Sequence, residues 1–183
     1  MNIEKKNLFT NIVYSFSIIF YLVIGVGVLT ISHFDFSERI PLLSASIILS
    51  SVPHVLIYAA NREKKSYLII GLVGTAFGIL FLSTDLFDAD EICMIWGVID
   101  ICRGLTEIIN LAPTVRKHKI ELIEIAISLG DIVVGILLCI HLTHGTKLHL
   151  IYLGIAFLIT AVKNITEYVF IKRKEKNESS DNN

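Results

Sequence analysis

Six apolar blocks take up nearly the whole chain, at about 9–32, 40–60, 66–84, 91–112, 119–142 and 148–171. Each is long enough to cross a hydrocarbon core, which needs about 20 helical residues for about 30 Å. In lipid the backbone N–H and C=O groups have no water to bond to, so each crossing segment must satisfy its own as a helix. The period-two alternation of membrane strands is absent. The chain therefore reads as all-α, a polytopic membrane protein of six transmembrane helices. Residues 1–8 form a short N-terminus, 9–172 the helical domain and 173–183 a polar tail expected to be disordered. The first block is too long for the apolar core of a signal peptide and lacks a following A-x-A site, so it reads as an uncleaved span.

The charges fix a direction. Only 18% of residues are charged, and most of the bases fall on alternate ends of the blocks. Lys5 and Lys6 precede the first block. Arg62, Lys64 and Lys65 lie in the second connection, Arg116, Lys117 and Lys119 in the fourth, and Lys172, Arg173, Lys174 and Lys176 in the tail. The other connections hold only Arg39 and Lys147 among acids such as Asp35, Asp85, Asp88, Asp90 and Glu91. Lys and Arg in short loops stay cytoplasmic. This predicts a multi-pass plasma-membrane protein with both termini in the cytoplasm. A net charge of −1 offers no field for nucleic acid, and the expected partner is the bilayer.

Short outer loops pair the blocks into three hairpins that start near residues 9, 66 and 119. Gly78-Ile79-Leu80-Phe81-Leu82 echoes Gly135-Ile136-Leu137-Leu138-Cys139, with Gly27-Val28-Leu29 a weaker match. Trp96-Gly97 and Leu153-Gly154 correspond, with Gly104 and Ala161 two turns later. Ser46 and Pro53 take those places in the second block. Units that all start on one side are parallel repeats, related by an axis along the membrane normal. Shared apolar composition alone would give part of the same likeness.

These hairpins, with glycines inside the spans and Ile-Trp-Gly-Val-Ile-Asp-Ile-Cys-Arg-Gly-Leu-Thr-Glu-Ile-Ile at 95–109, resemble the HdeD-type acid-resistance membrane protein family. The resemblance covers about residues 9–171. It implies a stress-related membrane protein without a defined reaction.

Small residues mark where helices can approach. Gly71, Gly74 and Gly78 share a face of the third block, and Ala126 and Gly130 keep the same spacing in the fifth. Gly97, Gly104 and Gly135 add to the set. Such positions let two backbones pack closely where lipid gives no hydrophobic drive for association. Packing within the chain is the expected use, and a homo-oligomer seam is the other.

The most informative residues are ionisable ones inside the later blocks. Asp100, Arg103 and Glu107 share one side of the fourth, with Trp96, Gly97, Gly104 and Asn110 beside them. Ile95, Val98, Ile101, Leu105 and Ile109 form the opposite side. Glu121, Glu124, Ser128, Asp131 and Gly135 make one stripe on the fifth block. Tyr152, Ala156, Thr160, Lys163 and Glu167 make another on the sixth. His54 stands beside Pro53 in the second, and Tyr14, Ser17, Tyr21 and Gly25 line the first.

Energetics decide where these groups point. An Asp, Arg or Lys at the centre of a span costs about 2.5–3.5 kcal/mol, while each aliphatic returns about 0.3–0.6 kcal/mol. The fourth block therefore does not insert comfortably alone, and its charged side should meet those of the fifth and sixth. Within the spans Asp100, Glu107, Glu124, Asp131 and Glu167 face only Arg103 and Lys163. Pairing cannot be complete, so either some carboxyls carry protons or water reaches them. Two uses follow: proton or cation binding, with pH sensing or ion-coupled transport, or polar ties between helices. His54 fits a hydrogen-bonded packing role. A small transporter or channel subunit is the alternative to the stress protein. No HExxH, GxSxG, CxxC or phosphate loop is present, which predicts no enzyme, no cofactor and no metal site. Cys93, Cys102 and Cys139 all sit in apolar blocks.

Overall fold

The computed structural model describes residues 3–32, 39–60, 62, 65–83, 87–111, 119–140 and 146–180. Asp35, Lys64, Asp85, Arg116 and Lys117 lie outside these residues, as do the side chains of Lys5, Lys6, Arg39, Lys119, Glu121, Lys174 and Lys176.

The chain forms six packed helices: α1 (Ile3–Ile31), α2 (Arg39–Ala60), α3 (Lys65–Ser83), α4 (Ala89–Leu111), α5 (Lys119–Cys139) and α6 (Thr146–Ser180). Four are long and apolar enough to span a membrane, with spans at Leu8–Ile31, Leu43–Ala60, Leu122–Cys139 and Lys147–Arg173. The apolar part of α3, Tyr67–Ser83, is shorter. α4 has the length, at 23 residues, but Asp100, Arg103 and Glu107 interrupt its apolar run.

Local signals explain the ends. α4 begins at a capping box, in which Asp88 Oδ1 accepts from the Glu91 N–H (2.8 Å) and Glu91 Oε2 accepts from the Asp88 N–H (3.0 Å). α6 runs on to Ser180, so residues 173–180 of the expected disordered tail are helical. The run Lys172-Arg173-Lys174-Glu175-Lys176 is made of strong helix formers, and nothing in it breaks the helix begun in the span.

The outside is apolar, and charged groups lie within. Ile12, Ile19, Val23, Leu49, Ile69, Leu72, Ile79, Val98, Leu105, Leu122, Val133 and Val162 are exposed, whereas Asp100, Arg103, Asp131, Lys163 and Glu167 are buried. Water would reverse that distribution; a lipid solvent explains it. Asn110, expected on the inner side of α4, is exposed near the helix end.

The closest helix pairs are α4–α5, α2–α3 and α1–α6, while α3 and α4 scarcely touch. Tight packing thus joins neighbouring expected hairpins rather than the two helices within one. The contacts make each pair antiparallel. Gly97 and Gly135 meet where α4 crosses α5. A Cβ on Gly97 would lie 2.6 Å from the Gly135 carbonyl oxygen, and one on Gly135 2.7 Å from that of Gly97. No side chain fits in that gap, so glycine on both sides is what lets the backbones touch. Gly25 and Gly154 meet in the same way between α1 and α6, and Gly78 meets Ser44 and Ile48 between α3 and α2.

Gly71 and Gly74 also face α2, at Ser51 and Val55, and Gly104 faces Ser128 and Ile132 of α5. Packing within the chain therefore accounts for these positions. Gly130 has only Ile159 in ordinary contact, at 3.6 Å, and Gly27 has nothing within 4 Å. Neither mediates a close crossing: Gly130 faces a wide groove between α5 and α6, and Gly25 rather than Gly27 occupies the α1 contact.

Candidate functional site

The side of the bundle that holds the start of α1 and the end of α6 is here the terminal side. From it, a column of polar groups runs into the interior.

The first layer centres on Glu167. Tyr14 Oη donates to its Oε2 (3.1 Å) and Tyr67 Oη to its Oε1 (2.6 Å). Each carboxylate oxygen thus has a phenol from a different helix, α1 or α3. Below it, Asn164 Nδ2 donates to Ser17 Oγ at 2.7 Å. Tyr14 stacks on Tyr168, and Lys163 Nζ lies 5.9 Å from the Tyr67 ring centroid, in cation–π range.

The second layer pairs Lys163 of α6 with Glu107 of α4. Ser128 Oγ of α5 lies 2.9 Å from Glu107 Oε2 and 2.9 Å from the Glu124 carbonyl, and its single proton serves one of them at a time. Glu124 is half-buried one turn nearer the start of α5.

The third layer is the deepest. Arg103 Nη2 lies 3.0 Å from Asp131 Oδ1, 3.3 Å from Asp100 Oδ1 and 3.1 Å from Thr160 Oγ1. Asp100 and Asp131 are 0% exposed. Their Oδ2 atoms have no hydrogen-bond partner among the described residues, nor does Arg103 Nε. One guanidinium therefore serves two carboxyls and leaves part of each unsatisfied. Buried carboxylates normally collect several donors.

His54 stands apart from this column. Its Nδ1 is 2.6 Å from Tyr21 Oη, which lies 2.5 Å from the Ser50 carbonyl. The Tyr21 proton goes to that carbonyl when the His54 ring donates to the phenol. The ring also packs against Tyr67, at 5.5 Å between centroids. This is the satisfied packing arrangement expected of it.

Beyond the third layer the interior turns apolar. Ile92, Trp96, Phe81, Leu138, Leu153 and Phe157 fill it, with Leu43 and Ile47 from α2. A separate polar contact, between His149 and Asp90, closes the far end.

Six of the eight expected site residues are thus brought into one column: Asp100, Arg103, Glu107, Asp131, Lys163 and Glu167. His54 and Glu124 flank it. Sequence reading missed Tyr67, Asn164 and the His149–Asp90 contact. For Tyr67 a signal exists, because Tyr14 precedes Gly25 by the same interval as Tyr67 precedes Gly78. For Asn164 the signal is its place four residues after Thr160 and three before Glu167, on the same stripe of the sixth block. Among the described residues no group of three or more His, Cys, Asp or Glu side chains is placed to hold a metal ion.

Comparison with protein-family models, curated proteins and solved structures finds no match.

Proposed function

We propose that this is a non-enzymatic membrane protein whose interior carboxyls take up and release protons, acting in acid or envelope stress in the manner of the HdeD-type proteins it resembles. One observation carries the reading. Arg103 is shared by Asp100 and Asp131 at full burial. Across the column two cations, Arg103 and Lys163, face four carboxyls. An uncompensated charge so far from water is expensive. A proton on the Asp100–Asp131 pair removes the excess at least cost. It also turns one carboxyl into a donor for an oxygen that otherwise has no partner.

The reading includes six crossings, α3 and α4 among them, with both termini cytoplasmic. Exposed Arg62, Lys65, Lys172 and Arg173 lie on the terminal side against exposed Lys147 on the other, and this excess of Lys and Arg supports that direction. It also includes a threefold repeat about an axis along the membrane normal. The same two intervals separate Gly25, Gly78 and Gly135, Ser44, Gly97 and Gly154, and Ile48, Ile101 and Leu158. These are the residues that meet at the three closest crossings, which supports the repeat.

A small transporter or channel subunit would need a polar path through the bundle. The apolar layer around Trp96 and Phe157 favours a proton site entered from the terminal side over such a path.

Trp96 is the chain's single tryptophan and lies one turn from Asp100. Its fluorescence should titrate with pH in the wild type and stay flat in the Asp100→Asn/Asp131→Asn double variant. An unchanged titration in an inserted double variant would refute the proton reading.

A further inference from the structure

We infer that His149 and Asp90 hold a second, independent proton, and that this proton clamps the ends of α4, α5 and α6 together on the side opposite the termini. The His149 side chain is fully buried. Its Nδ1 lies 3.0 Å from Asp90 Oδ1, and its Nε2 lies 3.2 Å from the Ile140 carbonyl oxygen. A carbonyl oxygen can only accept, so Nε2 must carry a hydrogen. A neutral imidazole has just one N–H. With that hydrogen on Nε2, a bare Nδ1 lone pair would face a carboxylate oxygen. The contact is bonding only when the pair holds one more proton, on Nδ1 or on the Asp90 carboxyl. Asp90 is partly open to solvent, at 21%, and supplies the carboxylate, so the ring is the imidazolium.

The three partners come from three helices. Asp90 is in the first turn of α4, which the Asp88–Glu91 capping box holds in place. Ile140 immediately follows α5, where the last carbonyls lack intrahelical partners and present partial negative charge. His149 is in the first turn of α6, whose own dipole opposes the cation and so leaves Asp90 and Ile140 to hold it. Among the described residues, Asp90 is the charged group that bonds the ring. Glu91 and Asp88 of α4 and Lys147 of α6 are exposed. α1, whose Leu29 meets Gly154, ends near that level in the uncharged Thr30, Ile31 and Ser32.

Packing makes the clamp consequential. α4 and α6 touch much less than α4 and α5 do. Among the described residues their polar ties include Glu107–Lys163 and Arg103–Thr160 and, at this end, Asp90–His149. Directly inside the clamp lie Cys93, Trp96, Leu138, Leu150 and Leu153, the apolar layer that separates this end from the deep carboxyls. About ten residues of α4, or about 15 Å, lie between Asp90 and Asp100, so the two protonation sites act separately. When that proton leaves, one of the two bonds is lost and this end of the bundle loosens.

Nitrogen NMR of histidine-labelled protein in bilayers tests this, with the His149 signal identified by its loss in His149→Gln. At neutral pH both ring nitrogens of His149 should be protonated, and in Asp90→Asn only one should be. A neutral ring in the wild type, or a ring indifferent to Asp90→Asn, overturns the inference. Spin labels on exposed positions 98 of α4 and 147 of α6 give the mechanical readout. Their distance distribution should be narrow at neutral pH, broaden in alkaline buffer, and be broad at both in His149→Gln. No alkaline broadening in the wild type would equally overturn it. Neither result depends on the Asp100–Asp131 site.

Discussion

The two halves of the bundle interior solve the same problem with opposite means. Toward the terminal side, helices are tied by charges and hydrogen bonds: Glu167 with two tyrosines, Lys163 with Glu107, Arg103 with Asp100 and Asp131. Away from it they are held by backbone contact at Gly97–Gly135 and Gly25–Gly154 and by an apolar fill of Trp96, Phe157, Phe81 and Leu138. The apolar half is satisfied on its own terms. The polar half is not, since among the described residues it buries more acid than base and leaves carboxylate oxygens without donors. This surplus polarity is what supports the proposed role in binding protons.

Removing the shared cation should break the contrast most severely. Arg103→Leu leaves two carboxyls unpaired at full burial, and losing one partner of a buried pair costs about 3–5 kcal/mol. The variant should fail to yield folded protein in a detergent stability assay. Adding Asp100→Asn and Asp131→Asn to it should restore most of the loss, because the remaining groups are then neutral. Little rescue would mean that Arg103 acts by packing.

The exposed side of the same helix provides the next test. Leu105 is 48% exposed on α4, opposite Asp100. Leu105→Asp should cost about 2.5–3.5 kcal/mol in membrane insertion, the full price of a lipid-facing charge. A glycosylation-mapping assay on α4 reads that loss directly. A negligible loss would place Leu105 against protein or water, not lipid.

In the apolar half, Gly135→Val inserts a side chain where a Cβ alone would lie 2.7 Å from the Gly97 carbonyl. Overpacking of this kind costs about 1–3 kcal/mol, visible as a lower melting temperature. Gly130→Val, facing only Ile159, should melt with the wild type.

The smallest effect is expected at Glu167. Tyr14→Phe and Tyr67→Phe each remove one hydrogen bond, worth about 1 kcal/mol in a membrane bundle. Because both phenols bond one carboxylate, the double variant should lose more than the sum of the two. Simple additivity would mean that the two phenols act independently.

How much of this was legible in the sequence follows the same divide. The polar stripes of α4, α5 and α6 could be read because helical spacing placed Asp100, Arg103 and Glu107, or Ser128 and Asp131, on one side, and lipid penalises any other orientation. Which helices would be nearest neighbours could not. Hairpins joined by short outer loops were expected as units, yet α2–α3, α4–α5 and α1–α6 pack most closely, because glycine crossings outweigh loop proximity. The proposed repeat was read two residues out of register in its first unit: Gly25 and Ser44, not Gly27 and Ser46, sit at the crossings. His149 gave no sign, since its role depends on a backbone carbonyl that no side-chain pattern marks.

The central claim is that the Asp100–Asp131 pair holds a proton inside the bundle. Infrared difference spectroscopy of the protein in bilayers tests it directly, because a protonated carboxyl in an apolar site absorbs apart from a carboxylate. The wild type at neutral pH should carry a protonated-carboxyl band that disappears in Asp100→Asn/Asp131→Asn. A wild-type spectrum without that band, or a band that the double variant leaves in place, would contradict it.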